Sequence, residues 1–203
     1  MRQRLVRADM TNIDFDAFLC DYKDDLSDAL ESIDTPSIQK IVEHVISILD
    51  SGGTIHLIGN GGSAGTPSHS AGDWSKELGI KTICHTDNVS SLTAWANDNG
   101  YENVFSGALG TWAKEGDLVI GYSGSGNSKN VLNGIIKAKD LGCRTAAITG
   151  NYKGGNGGKL AAMVDVAVIC DTMSMERIED LQLIINHIVK ESIKAERNLP
   201  SHS

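Results

Sequence analysis

The chain has 203 residues, of which 40% are hydrophobic and 22% are charged, a size that suits one α/β domain and is short for two. Its formal net charge of -8 argues against a nucleic-acid or anionic-membrane partner, because both are negatively charged and would be repelled. No stretch approaches the roughly 20 apolar residues that a membrane span needs, so we expect a soluble, cytoplasmic protein.

Two helices are predicted before the first strand. Apolar residues recur at three- and four-residue spacing from Asp14 to Ile33, which is typical of an amphipathic helix. A second helix is predicted from Pro36 to about Leu49, because Thr35 can cap its free amide groups and proline lacks the N–H that a first turn leaves unpaired.

The rest of the chain alternates short apolar runs with helical patterns. Strands are predicted at Thr54–Ile58, Lys81–His85, Asp117–Tyr122, Arg144–Ile148 and Val164–Cys170. Helices are predicted at Pro67–Leu78 with a Thr66 cap, at Ser90–Ala96, Tyr101–Lys114, Asn127–Leu141 and Glu176–Arg197. The glycine-rich loop at Gly150–Gly158 is either a mobile lid or a loose connection, and we favour the loose connection. Such alternation predicts a three-layer αβα sandwich with a parallel five-stranded sheet, preceded by N-terminal helices. Ligands of such sheets bind beyond the carboxyl ends of the strands.

Two Gly/Ser-rich turns each follow a predicted strand and precede a helical pattern. Residues 59–63 are GNGGS and residues 123–128 are SGSGNS. A turn of this kind presents backbone N–H groups at the positive end of a helix, and its serine hydroxyls add donors, so a phosphate can bind without a dense basic patch. One such turn would be ordinary in an α/β fold, but two predict a phosphorylated ligand. A dinucleotide site is a weaker alternative, since no acidic residue closes the second strand.

Four residues on two predicted helices have side chains suited to metal binding or proton transfer. His69 and Asp73 are four residues apart and project from one helix face, where they form either a surface contact or a pair that shares a metal or a proton. Glu179 and His187 are separated by roughly 12 Å of helix. Those two reach one point only through long side-chain swings or a second copy of the chain.

Other polar and cysteine residues have less specific patterns. His56 lies inside a strand and is expected to be a satisfied core histidine. Asn97-Asp98-Asn99-Gly100 is typical of a turn, although Asp98 could also accept hydrogen bonds from sugar hydroxyls. The four cysteines are far apart, which predicts reduced core thiols rather than disulfides or a zinc knuckle: Cys20, Cys84, Cys143 and Cys170.

Taken together, these motifs show that the chain resembles the sugar isomerase (SIS) domain family, and within it the phosphoheptose (sedoheptulose 7-phosphate) isomerases, from about residue 14 to 195. The residues that carry the resemblance are 59–63 with His69, Asn97-Asp98, 123–128, Thr149-Gly150, and Arg177-Ile178-Glu179-Asp180 with His187.

The resemblance implies the following site. Sugar phosphate would be bound by Asn60, Gly61, Gly62, Ser63, Ser123, Gly124, Ser125 and Ser128, with Asn97 and Asp98 near the sugar chain. The positions that hold a zinc ion in family members are His69, Asp73, Glu179 and His187. It also implies a homotetramer with active sites at subunit contacts. The single SIS domain then comprises residues 1–52, whose helices pack in the oligomer, an αβα core with the C-terminal helix at 53–197, and a tail at 198–203.

Two positions differ from the family pattern. Asp73 stands where those enzymes carry a glutamate base, and Glu179 stands where they carry a glutamine. The reaction implied is aldose–ketose isomerisation through an enediolate, with Asp73 as base and His187 as acid, and Glu179 as the other carboxylate able to act as base. The alternatives are a non-catalytic SIS protein that binds a phosphosugar or a partner such as a replication initiator, and an isomerase of another phosphosugar.

Overall fold

The computed structural model describes residues 13–200, so the arginine-containing first ten residues and the last three residues of the predicted tail lie outside it. Within this range five parallel strands form one sheet in the order β2-β1-β3-β4-β5. The strands are β1 (Thr54–Ile58), β2 (Lys81–Cys84), β3 (Leu118–Ser123), β4 (Arg144–Gly150) and β5 (Val166–Cys170). The helices are α1 (Phe15–Glu31), α2 (Thr35–Ser51), α3 (Gly62–Leu78), α4 (Val89–Asn99), α5 (Val104–Trp112), α6 (Lys129–Asp140), α7 (Gly158–Met163) and α8 (Met175–Glu196), and Tyr101–Asn103 and Tyr152–Gly154 form short 3-10 turns.

Helices cover both faces of the sheet, which confirms the predicted three-layer sandwich. Side chains of a strand alternate between the faces, so Ile120 packs with α2, α3 and α8 while the neighbouring Val119 packs with α5, α6 and α7. Every residue of β3 is buried, as expected of a central strand in a parallel sheet. None of the helices in residues 13–200 is long and apolar enough to span a membrane.

The starts of two helices differ from the sequence prediction. Asp34, not Thr35, caps α2, because its Oδ2 accepts a hydrogen bond from the Ser37 N–H at 2.9 Å. Helix α3 begins at Gly62 and not after a Thr66 cap, so Pro67 lies inside it. Pro67 has no N–H to offer the carbonyl four residues earlier. The Ser63 carbonyl, which Pro67 leaves without this partner, occupies the space that a Cβ on residue 59 would need. Only glycine therefore fits at Gly59.

Three further predictions need correction. The Gly150–Gly158 segment is more ordered than a loose connection, since Asn151 accepts the Asn156 N–H at 2.9 Å and donates to Asp171 at 2.8 Å. The predicted turn at 97–100 is the last part of α4, and the chain leaves the helix only at Gly100, which has a φ of 86°. Three cysteines are buried as predicted, but Cys20 is exposed on α1.

Candidate active site

A cavity of about 280 Å³ lies where the carboxyl ends of β1 and β3 meet the starts of α3 and α8. It is lined by Asn60, Gly61, Ser63, Tyr122, Ser123, Gly124, Ser125, Ser128, Met175 and Glu179. A larger groove of about 1170 Å³ lies at the amino ends of the strands, lined in part by Thr54 and Lys81. Because parallel sheets bind ligands at the carboxyl ends, the smaller cavity is the candidate site.

The serine-rich turn forms one wall of this cavity and is held in a fixed shape. Thr149 donates to the Ser123 carbonyl at 2.6 Å, and the Asn127 side-chain amide donates to the Ser125 carbonyl at 2.8 Å. The Ser123 and Ser128 hydroxyls are 3.1 Å apart, and Ser128 does not cap α6 with its side chain. The positive end of α6 and two adjacent hydroxyls therefore face the same space, which suits an anion.

The first turn is joined by an amide pair to the start of α6, directly after the serine-rich turn. Asn60 and Asn130 exchange two hydrogen bonds, each at 2.8 Å, and the Tyr101 hydroxyl donates to Asn60 Oδ1 at 2.7 Å. The side chain of Asn60 thus binds protein groups, and its part in the site is to fix the two turns relative to each other. Sequence reasoning missed Asn130, since its partner is 70 residues away.

Glu179 already occupies the amide groups of the first turn. Its carboxylate lies against the start of α3, in the space that a Cβ on Gly62 would take, and accepts hydrogen bonds from the Gly62 and Ser63 N–H groups. Burial and the neighbouring Glu176 raise the pKa of Glu179, and these hydrogen bonds lower it by less. The two turns therefore differ, because residues 59–63 hold a carboxylate of the chain whereas residues 123–128 are open to a phosphate.

His69 and Asp73 on α3 meet His187 on α8 beside this cavity. His69 Nε2 lies 3.4 Å from His187 Nε2 and 3.5 Å from Asp73 Oδ2, and His187 Nε2 lies 3.8 Å from the same oxygen. Zinc with bonds of about 2.0–2.1 Å to tetrahedral ligands places those ligands about 3.3–3.4 Å apart. Two imidazoles and a carboxylate at these distances fit a divalent cation such as zinc. Among residues 13–200, Glu179 is not part of this group.

Two buried lysines of α8 pair with carboxylates of α3 next to the cluster. Lys190 Nζ donates to Asp73 Oδ2 at 3.0 Å, and Lys194 Nζ donates to Glu77 Oε2 at 2.9 Å. Burial lowers the pKa of Lys190, but the hydrogen bond and charge of Asp73 and the nearby Glu77 raise it above its ordinary value. Sequence reasoning did not single out either lysine, because each partner is 117 residues away in the chain.

Asn97 and Asp98 do not line the cavity of this chain. Both are exposed at the end of α4, where the Asn97 amide donates to Asp98 Oδ1 at 2.7 Å. A sugar held in the cavity would meet them only if another element, or another copy of the chain, brought them closer.

Comparisons with known proteins agree with this architecture. A profile of the SIS domain matches residues 21–150. The chain is 39% identical to a probable phosphoheptose isomerase of Thermoplasma volcanium, over 84% of this chain and 88% of the relative. It is 33% identical to a phosphoheptose isomerase of Aliarcobacter butzleri, over 86% and 93%. The solved structure of a phosphoheptose isomerase from Francisella tularensis superposes with a TM-score of 0.81 at 25% identity, over 92% of this chain and 100% of that one. The chain therefore belongs to the SIS domain family and, within it, to the phosphoheptose isomerases.

Proposed function

We propose that this protein converts sedoheptulose 7-phosphate to D-glycero-D-manno-heptose 7-phosphate, an aldose–ketose isomerisation. The observation that carries the proposal is the placement of a serine-rich turn in one cavity wall and of His69, Asp73 and His187 on the helices beside it. The first feature suits a phosphate, and the second suits proton transfer next to a carbonyl. The relatives named phosphoheptose isomerase support this substrate.

The phosphate is proposed to bind at residues 123–128. The hydroxyls of Ser123 and Ser128 and the start of α6 supply the donors, and the absence of a side chain at Gly124 makes room for Met175 in the cavity wall. Ser63 lines the same cavity as Ser123 and Ser128, and His69 lies six residues beyond Ser63, about 9 Å along α3. A ligand that reaches from the turn to the cluster must be extended, which favours a long sugar phosphate over a short one.

Proton transfer is proposed to use one carboxylate and His187. Glu179 lines the cavity with its pKa raised by burial, as suits a base, whereas Asp73 Oδ2 is hydrogen-bonded to Lys190. We therefore favour Glu179 as the base that removes a proton from the carbon next to the carbonyl, with Asp73 as the alternative base. Because Glu179 and His187 of one chain are separated by roughly 12 Å of α8, His187 of a neighbouring subunit would return a proton to the carbon beside Glu179, whereas with Asp73 as the base His187 of the same chain can do so. A zinc ion bound by His69, Asp73 and His187 would stabilise negative charge on the substrate oxygens.

We propose further that the working form is a cytoplasmic homotetramer. Phe15 and Phe18 of α1 are 67% and 51% exposed, and a second subunit would bury such side chains. A neighbouring subunit could also bring Asn97 and Asp98 to the sugar. The four unpaired cysteines suit a reducing compartment. Light scattering of the purified protein would give the mass of four chains, and a monomer would contradict this assembly.

The first test is turnover of sedoheptulose 7-phosphate by the purified protein with added zinc. His187→Ala should lower kcat by at least about 100-fold, because a positioned acid contributes roughly 10²–10⁴-fold. His44→Ala is the matched control, because His44 is also a partly buried histidine but lies on α2, away from the cavity. This variant should leave kcat unchanged. An unmodified protein that converts no ketose phosphate would contradict the proposal.

A non-catalytic SIS protein is the second candidate function. The observation in its favour is that Asp73 and Glu179 both differ from the pattern described above for the catalytic family. Specific binding to a replication initiator, together with no turnover of any ketose phosphate, would support it. Retention of His69 and His187 in one cluster favours the enzyme.

A further inference from the structure

Lys190 makes a contact that neither the sugar-phosphate site nor the cation cluster accounts for. Its side chain is 9% exposed, and its Nζ lies 3.0 Å from Asp73 Oδ2. The same oxygen faces the Nε2 atoms of His69 and His187. One carboxylate oxygen thus lies within 3.8 Å of an ammonium group and of two imidazole nitrogens.

The lysine is itself held in place. Its Nζ also lies 3.5 Å from Glu77 Oε2, and Lys194 donates to that same Glu77 oxygen at 2.9 Å. Long side chains lose much rotamer freedom when they are buried, so a lysine paired with the carboxylates of Asp73, Glu77 and Glu191 is a rigid donor. The lysines and carboxylates form a continuous series of ion pairs between α3 and α8 that ends at Asp73.

We propose that Lys190 is a positioning residue that orients the Asp73 carboxylate toward the cation site formed with His69 and His187. A carboxylate oxygen has two lone pairs, and the hydrogen bond from Lys190 uses one, so the other is directed at the imidazoles. Asp73 is one methylene shorter than the glutamate of the family pattern, and a fixed orientation compensates for the lost reach. Groups that hydrogen-bond a metal-ligating carboxylate typically affect metal affinity by about 10- to 100-fold. The inference rests on the cation site of the proposed function.

A lysine beside a metal ligand can also act in the opposite direction, so the direction of the change in zinc affinity decides between the two roles. An ammonium group 3.0 Å from the ligand oxygen repels a second cation, so a lysine that merely competes with the metal would weaken binding. Replacing Lys190 by an uncharged residue then tightens zinc binding. If the lysine positions Asp73, the same replacement weakens it.

The experiment is a zinc titration of the purified full chain against a chromophoric chelator at constant pH. Lys190→Met should raise the zinc Kd by about 10- to 100-fold, and Lys190→Arg should recover most of the affinity because it keeps the charge and the donor. Lys194→Met is the matched control, because it removes an equally buried charge one turn further along α8 and leaves the Asp73 contact. Its Kd should stay within about threefold of the unmodified value.

Thermal melts establish that each variant is folded, and Lys190→Gln replaces Lys190→Met if the latter does not fold. An unchanged or lower zinc Kd in the uncharged variant overturns the proposal, and so does an unmodified chain that binds no zinc. Turnover of sedoheptulose 7-phosphate is measured separately. A chain that isomerises the sugar but shows no effect of Lys190 on zinc binding overturns only the positioning role. A chain with the expected zinc effect and no turnover overturns only the proposed function.

Discussion

At the scale of single residues, the contact between Glu179 and Gly62 determines where a negative charge sits in the cavity. The carboxylate fills the space that a side chain at position 62 would need and is held by the N–H groups of the first α3 turn. Gly62 is not among the residues with a positive φ, so its backbone accepts an L-residue. Absence of a side chain is needed there to admit Glu179.

Gly62→Ala should therefore lower kcat markedly while the protein stays folded. The new methyl group displaces the Glu179 carboxylate, and we expect kcat to fall by at least about tenfold, since a 1 Å misplacement of a reacting group can reduce the rate by about 10²-fold. Gly65→Ala is the control on the same helix, because nothing lies within 4 Å of a Cβ at that position. It should keep kcat and raise the free energy of unfolding by about 0.5–1 kcal/mol. Equal activity of the two variants would refute a role for the Glu179 position.

The residues that sequence reasoning could identify are those with local signals. The serine-rich turn and the His69–Asp73 pair depend on spacing within one segment, and the structure places them in and beside the cavity. Asn130 and Lys190 were missed because their partners are distant in the chain. The sequence predicts a helix start at Thr66-Pro67, whereas α3 begins at Gly62, directly after Gly61. The positive φ of Gly61 that permits this earlier start has no sequence signal beyond the glycine itself.

At the scale of elements, a buried polar chain links β1, the end of β2 and the residue before β3. His56 Nδ1 lies 3.0 Å from His85 Nε2, and His56 Nε2 lies 3.3 Å from Asp117 Oδ2. Asp117 also accepts the Thr54 and Lys114 N–H groups at 2.8 and 2.9 Å. His56 is thus the satisfied core histidine that the sequence predicts, and His85 is its partner.

This chain of groups makes the fold sensitive to acid. Burial and then the charge of His56 lower the pKa of His85 to about 3, and burial lowers the pKa of His56. Because the folded pKa of His85 lies below its unfolded value of about 6.5, its contribution to stability is complete above pH 6.5 and is lost as the pH falls toward 3.

The free energy of unfolding should therefore fall between pH 7 and pH 5, with His85 alone contributing about 2 kcal/mol. Urea melts at the two pH values measure this fall in the free energy of unfolding. The fall should be smaller in His85→Gln, because a glutamine side chain does not titrate. A fall of the same size in both proteins would exclude His85 as its source.

At the scale of the whole molecule, the fold gathers the groups that suit an anion into one small region of an acidic protein. The formal net charge is -8, yet the serine-rich turn supplies neutral donors at the positive end of α6. Alternating strand and helix patterns were sufficient to predict the sheet and its layers, because each pattern is local. The packing of α3 against α8, which brings His187 to His69 and Asp73, depends on tertiary contacts that spacing along the chain does not encode.

The central claim is that one sugar phosphate reaches from the serine-rich turn to the cluster on α3 and α8. The most direct measurement is a crystal structure of the His187→Ala protein with sedoheptulose 7-phosphate, in which the variant prevents turnover. We predict the phosphate on Ser123 and Ser128 and the carbon next to the carbonyl within about 3.5 Å of the Glu179 carboxylate. A phosphate bound away from this turn, or a reacting carbon that neither Glu179 nor Asp73 approaches, would contradict the account.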